Sequence, residues 1–386
     1  MYMWNKIFIS SLNNLSCGKL KLSLCGKNYF FSGKSAGPEA NLKIENEKIV
    51  KKLLIQGSVA FGEEYVNGHI KTTNLEKLLD YFAANNDEIE KSIKYTFFFK
   101  AKNFFNHYLN RNSKNGAKKN IHAHYDLGNS FYKLWLDKSM TYSSAIFKKT
   151  SNDLYQAQTN KYQNLFNLAE IENNDKILEI GSGWGGFVEQ LIKSFKCNIT
   201  TTTISNEQFN YLSSKFIKNQ NVNLLKKDYR DLSGKFDKIV SIEMFEAVGK
   251  EFWDTYFQKL KNLLNDNGII VLQIITIKDE AFNYYSKNPD FIQRYIFPGG
   301  MLPSIDILTR ILKRHNLKIL ENNSYSEHYA GTLNKWSKSF NSSLTEVKKL
   351  GFDDKFIRMW NYYLKYCESG FKSKRIDLNQ IKIINN

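Results

Sequence analysis

Across 386 residues, 42% are hydrophobic and 15% aromatic, enough to bury the cores of two domains and to exclude a disordered or fibrous chain. Cys17, Cys25, Cys197 and Cys367 lie far apart with no Cys-x-x-Cys pair, which argues against a zinc cage or a disulfide framework and fits a reducing cytoplasm. The formal charge of +17 calls for an anionic partner or reflects solubility in a Lys-rich, Asn-rich proteome.

From the start of the chain, Met1 to Asn14 carries one lysine and a short apolar stretch without a convincing cleavage site, so no signal peptide is expected. Lys19 to Phe31 alternates apolar and polar residues, as does the stretch near Leu42 to Ile44, and both read as short strands. Leu75, Leu78, Leu79 and Phe82 then recur at helical spacing, so residues 1–115 are expected to form a small α+β domain. Lys91 to Asn120 holds eight Lys or Arg and no Asp or Glu, interleaved with Phe97, Phe98, Phe99, Phe104, Phe105 and Tyr108. That mixture suits an anionic membrane surface, and equally a helix burying its Phe face. The polar run from Asn110 to Asn120 reads as a linker.

Residues 116–386 alternate strands and helices, the pattern of a doubly wound, mainly parallel sheet. Strands are expected at Lys176 to Ile180, Asn198 to Ile204, Asn223 to Lys227, Asp237 to Ile242 and Gly268 to Ile277, with an amphipathic helix over Phe252 to Leu264. The last strand contains the longest strongly apolar run, Ile269 to Ile277, which Gln273 interrupts and which is about half of the ~20 residues a spanning helix needs.

The segment KILEIGSGWGGF puts an apolar strand, Glu179 and three alternate glycines (Gly181, Gly183, Gly185) directly before a helix. Glycines serve where the chain turns sharply and a ligand approaches the backbone. A carboxylate two residues before the first glycine suits a cationic sulfonium and its amino-acid moiety, whereas it repels a pyrophosphate. The segment therefore favours S-adenosylmethionine over a dinucleotide. After the next strand, Thr203, Ser205 and Gln208 stand where a ribose-binding acid is common, and Asp228 and Tyr229 after the third strand are placed to frame an adenine. His122 and His124 have no carboxylate pair at ligand spacing, so no metal is expected.

Several motifs then converge: HAHYDLGNSFYKLWLDKSMTYSSAIF (His122 to Phe147), LEIGSGWGGF, TISNEQ, SIEMFEAVG (Ser241 to Gly249), YIFPGGMLPS (Tyr295 to Ser304), LGFDDKFIRMWNYYLKYCESGF (Leu350 to Phe371) and, more weakly, GSVAFGEEYVNGHI (Gly57 to Ile70). In this order they resemble the cyclopropane-fatty-acyl-phospholipid synthase family. The resemblance implies a Rossmann-like methyltransferase with a seven-stranded mainly parallel sheet and a smaller N-terminal lipid-binding-like domain. It implies methyl transfer from S-adenosylmethionine to a cis double bond of an unsaturated phospholipid acyl chain, giving a cyclopropane. The protein would then sit peripherally on the inner face of an anionic membrane, with no nucleic acid as partner; a homodimer is compatible with the resemblance.

By motif position, Tyr142 and Ser143 would touch the cofactor. In the family a bound bicarbonate ion takes the proton, and the matching residues here are Ser144, Glu246, Gln273, the backbone of Ile275, and Tyr329. Glu246 and Tyr329 agree with the family pattern, whereas Ser144 stands for a cysteine, Gln273 for a histidine and Ala247 for a histidine. Ser and Gln donate hydrogen bonds but supply neither a thiol nor an imidazolium, and without the ion Glu246 is the nearest candidate base. The alternatives are a hydride shift giving a methyl-branched chain, methylation of a small amine, and an inactive lipid-binding relative.

Overall fold

The computed structural model describes residues 2–93, 127–148 and 153–386. The boundary at 115/116, the linker at 110–120, His122, His124 and the basic, aromatic run beyond residue 93 lie outside these residues.

Helix α1 (Tyr2–Asn13) precedes a four-stranded sheet of β1 (Cys17–Leu24), β2 (Lys27–Ser32), β3 (Ser35–Ile44) and β4 (Ile70–Lys71), in the order β2-β1-β3-β4. The single expected run at 19–31 is thus a hairpin, turned at Cys25 and Gly26, both with positive φ, which matches the twist of the flanking strands. Leu20, Leu22 and Leu24 alternate inward along β1 and face α3 (Leu75–Ala84), with Leu78, Leu79 and Tyr81 buried. Helix α2 (Glu47–Val66) bends at Gly57, where φ is 58° and ψ −133°; α4 (Asn86–Ile93) closes this block.

The remaining elements run α5 (Asn129–Lys133), α6 (Leu154–Leu168), β5 (Lys176–Ile180), α7 (Gly186–Ser194), β6 (Asn198–Thr202), α8 (Asn206–Phe216), β7 (Val222–Leu225) and β8 (Phe236–Ile242). They continue with α9 (Trp253–Leu263), β9 (Leu264–Ile277), α10 (Asp279–Tyr285), α11 (Phe291–Tyr295), α12 (Ile305–Arg314), β10 (Leu317–Ser324), α13 (Ser326–Ser342), α14 (Leu344–Lys349), α15 (Asp354–Lys372) and β11 (Ile376–Asn385). The sheet order is β10-β11-β9-β8-β5-β6-β7. Strands β9, β8, β5, β6 and β7 are mutually parallel, and β11 enters antiparallel to both β9 and β10. The five strands read from the sequence form the parallel part; β10 and β11 complete the seven-stranded sheet that the resemblance implied.

Apolar positions at i, i+3, i+4 and i+7 turn α9 onto this sheet, burying Trp253, Tyr256, Phe257 and Leu260. Shortening Leu260 to Ala would cost about 2–5 kcal/mol. Helix α15, from the end of the chain, packs on α2 and α3. Gly62 makes this fit possible, because a Cβ there would lie 2.4 Å from Phe291 and 2.9 Å from Tyr362. Lys365 and Lys372 meet Glu76 at 2.7 and 2.6 Å, holding its carboxyl down at about 2 against the opposing effect of burial. Among the described residues no helix is long and apolar enough to cross a membrane.

Candidate active site

In a doubly wound sheet, ligands collect at the carboxyl ends of the parallel strands, and here five such ends open on one cavity of about 1390 Å3. At the end of β5, Gly181 and Ser182 both donate backbone N–H bonds to Thr202 O, at 3.1 and 2.9 Å, tying the glycine loop to β6. Gly181 has φ 94° and Gly183 φ 51°, and a Cβ at Gly183 would meet nothing within 4 Å. The loop thus presents bare backbone to open space. Gly185 serves packing: it also has positive φ, and a Cβ there would lie 2.5 Å from Leu212 on α8.

Glu179 is buried on the cavity wall and accepts a 2.5 Å bond from Thr201 Oγ1; burial pushes its carboxyl up to about 7. At the end of β6, Thr203 Oγ1 donates to Gln208 Oε1 (2.8 Å), and both line the cavity. Ser205 instead caps α8, its hydroxyl accepting the Gln208 N–H, and is not part of the wall. At the end of β7, Asp228 is gripped by Arg230 through Nε and a terminal nitrogen, at 2.7 and 2.8 Å, so a ligand would compete with that pair. Tyr229 beside it keeps a buried hydroxyl without a partner.

These features fit S-adenosylmethionine: a bare glycine turn, a buried carboxylate for its cationic end, and an orphan hydroxyl beside the third strand. Tyr142 and Ser143 join the same wall. Tyr142 shares a 2.7 Å bond with the Tyr363 hydroxyl, and Ser143 Oγ accepts 2.8 Å from Lys161 Nζ. Lys161, on α6, is fully buried, and burial brings its amine down to about 7. A lysine on a helix reads from sequence as a solvated charge, so this residue escaped the sequence analysis.

The ends of β8 and β9 carry a second cluster. Glu246 Oε1 accepts the Ile275 N–H at 2.6 Å, and its Oε2 is buried without a partner. Burial, reinforced by the Glu243 charge, pushes Glu246 up to about 8, so it is largely neutral near pH 7. Ser144 and Gln273 do not reach the cavity wall. Between them and the cavity stands Glu243, which sequence reasoning passed over. Its Oε1 accepts the Ser144 N–H at 2.8 Å and Gln273 Nε2 at 2.8 Å, and its Oε2 accepts the Tyr329 hydroxyl at 2.5 Å. Gln380 on β11 donates to Gln273 Oε1 at 2.8 Å, which turns the Gln273 amide nitrogen toward Glu243. Burial raises the Glu243 pKa while these donors oppose the rise. Glu243 thus has side-chain donors that favour its charged form, whereas Glu246 has backbone N–H groups alone.

Glu243 also has φ 48°, in the left-handed region that costs a side-chain-bearing residue about 1–2 kcal/mol. A carboxylate closing an apolar strand three residues before Glu246 was the available sequence signal. The aromatic residues Tyr142, Trp184, Phe297, Tyr329, Tyr363 and Phe371 line the same cavity.

A family model described as mycolic acid cyclopropane synthetase matches residues 112–381. The chain is 33% identical over 352 residues to the tuberculostearic acid methyltransferase UfaA1 of Mycobacterium tuberculosis, covering 88% of this chain and 81% of that protein. It is 30% identical over 345 residues to the cyclopropane-fatty-acyl-phospholipid synthase of Escherichia coli, covering 89% and 87%. Among solved structures, the mycolic acid cyclopropane synthase CmaA1 complexed with SAH and CTAB is similar with a TM-score of 0.64 and 28% identity, over 69% of this chain and 97% of that one. With the glycine turn, the buried Glu179 and the seven-stranded sheet in place, the chain belongs to the mycolic acid cyclopropane synthetase family and is an S-adenosylmethionine-dependent methyltransferase.

Proposed function

We propose that the protein methylates a cis double bond in the acyl chain of a membrane phospholipid and closes a cyclopropane ring. The observation that carries this reading is the continuity of the cavity. It joins the glycine turn to the carboxylate pair and continues between apolar residues of the first block, including Phe8, Leu12, Leu53, Leu79 and Phe82. Its volume of about 1390 Å3 exceeds the ~300–1,000 Å3 of a pocket for one small ligand, which suits a cofactor and an acyl chain together.

S-adenosylmethionine supplies an electrophilic methyl group. Glu179, Gly181, Gly183, Thr203 and Gln208 hold it, and the apolar walls exclude water and align a weak alkene nucleophile. As the double bond takes the methyl, positive charge develops on the chain, and the faces of Tyr142, Trp184 and Tyr329 can each stabilise it by about 0.5–2 kcal/mol. Loss of a proton from the new methyl then closes the ring. We assign residues 1–115 to docking on the anionic inner face of a membrane, with the basic, aromatic composition of the run that starts at Lys91 in support.

A second reading, a methyl-branched product formed after a hydride shift, is favoured by the identity to the tuberculostearic acid methyltransferase. Incubation with S-adenosylmethionine and vesicles of a monounsaturated phospholipid, followed by mass spectrometry of the acyl chains, tests both. A gain of one carbon is expected, in a product that resists mild hydrogenation. Uptake of hydrogen would indicate a methylated alkene, and no added carbon would sink the lipid reading.

A further inference from the structure

We infer that the side-chain carboxylate of Glu243 occupies the position of the proton-accepting anion, so that this enzyme carries its own base and does not use bicarbonate. The inference rests on the alkene-methylation reading. Of the five groups that the family resemblance assigns to the ion, three already spend their donors on Glu243: the Ser144 backbone, Gln273 and Tyr329. A fourth, the Ile275 N–H, is taken by Glu246. The fifth is Glu246 itself, which already shares its wall with the Glu243 carboxylate. A bicarbonate ion would have to displace a carboxylate from three hydrogen bonds at the cavity wall, and like charges would face each other there.

The backbone gives an independent sign. Glu243 holds φ 48° at the strand end, a conformation that glycine adopts freely and glutamate does not. A strained residue kept at a site points to a role for its side chain. The carboxylate has about four lone-pair sites; three are filled, and one on Oε2 is left for a proton at the cavity wall. In the step itself, the S–CH3 bond breaks and a C–CH3 bond forms, leaving a cation on the chain and a neutral thioether. A C–H bond of the new methyl then breaks, its electron pair closes the ring, and its proton passes to Glu243 Oε2. The neutral acid returns the proton to water as product leaves.

Three proteins test this. In Glu243→Gly the backbone strain is relieved and the donors of Ser144, Gln273 and Tyr329 face an empty position, so the variant should fold, lose activity by at least about 100-fold, and recover on adding millimolar bicarbonate. Glu243→Gln keeps the shape without the basic oxygen; it should be equally slow, bind S-adenosylmethionine as wild type does, and not recover. The wild type should be indifferent to removal of bicarbonate. A second readout needs no lipid: 13C NMR of labelled bicarbonate should show binding to Glu243→Gly and none to wild type. Bicarbonate binding by the wild type, dependence of its rate on the ion, or a fully active Glu243→Gln would each overturn the inference. If the wild type added no carbon to any lipid, the alkene reading would fall, while the NMR comparison would still decide whether Glu243 fills the anion position.

Discussion

The cavity has two working ends, and they were encoded in different ways. The cofactor end at β5 is nearly contiguous: Glu179, Gly181 and Gly183 lie within five residues, and their spacing alone indicates the turn and the charge it accepts. The end proposed to accept the proton is gathered from Ser144, Glu243, Glu246, Gln273, Tyr329 and Gln380, on β8, β9, β11, α13 and the loops around them. The contrast teaches that a turn geometry demanding glycine leaves a local signature, whereas a hydrogen-bonded carboxylate is defined by donors that only the fold brings together.

Substitutions should break the two ends differently. At the cofactor end, Gly181→Val forces a branched side chain into a φ of 94° with Met244 atoms 3.0 Å from the new Cβ; S-adenosylmethionine affinity should fall at least about 100-fold by calorimetry, from strain and lost approach together. At the other end, Tyr329→Phe should leave that affinity unchanged and lower kcat about 10- to 100-fold, the worth of a hydrogen bond to a charged group. Because the lost donor favoured the charged form of Glu243, its pKa rises, and the acidic limb of the kcat profile should move up by about one unit or more.

The pH dependence of binding sharpens the comparison further. Glu179 sits near 7 in the free protein and becomes charged above it, and the nearby Lys161, also near 7, loses its positive charge over the same range. Both changes favour a cationic ligand, so affinity should rise from pH 6 toward pH 8, by roughly tenfold per unit below the pKa for Glu179 alone. Glu179→Gln should bind weakly and flatten most of that slope. The smallest effect is expected at Ser205: Ser205→Ala removes the cap of α8 and should cost about 1 kcal/mol in denaturant unfolding, with binding and kcat preserved.

Much of the fold was legible because alternation marks β1, apolar runs before turns mark β5 and β9, and the 3.6-residue period marks α3 and α9. Strands β10 and β11 were harder: β10 exposes most of its polar residues and β11 buries Asn379, Gln380 and Lys382, so neither shows a clean alternation. In the site, Ser205 was placed on the cofactor and proves to cap a helix, while Lys161 and Glu243 were missed for one reason. Burial of a charged residue depends on partners distant in sequence, and for Glu243 the decisive angle, φ 48°, has no sequence signal at a residue other than glycine or asparagine.

The most direct test uses S-adenosylmethionine carrying a trideuterated methyl group, monounsaturated phospholipid vesicles and buffer freed of bicarbonate. The wild type should add a carbon retaining two of the three deuterium atoms, in a product that resists hydrogenation. Retention of all three, or no added carbon until bicarbonate is restored, would contradict ring closure by a carboxylate of the protein itself.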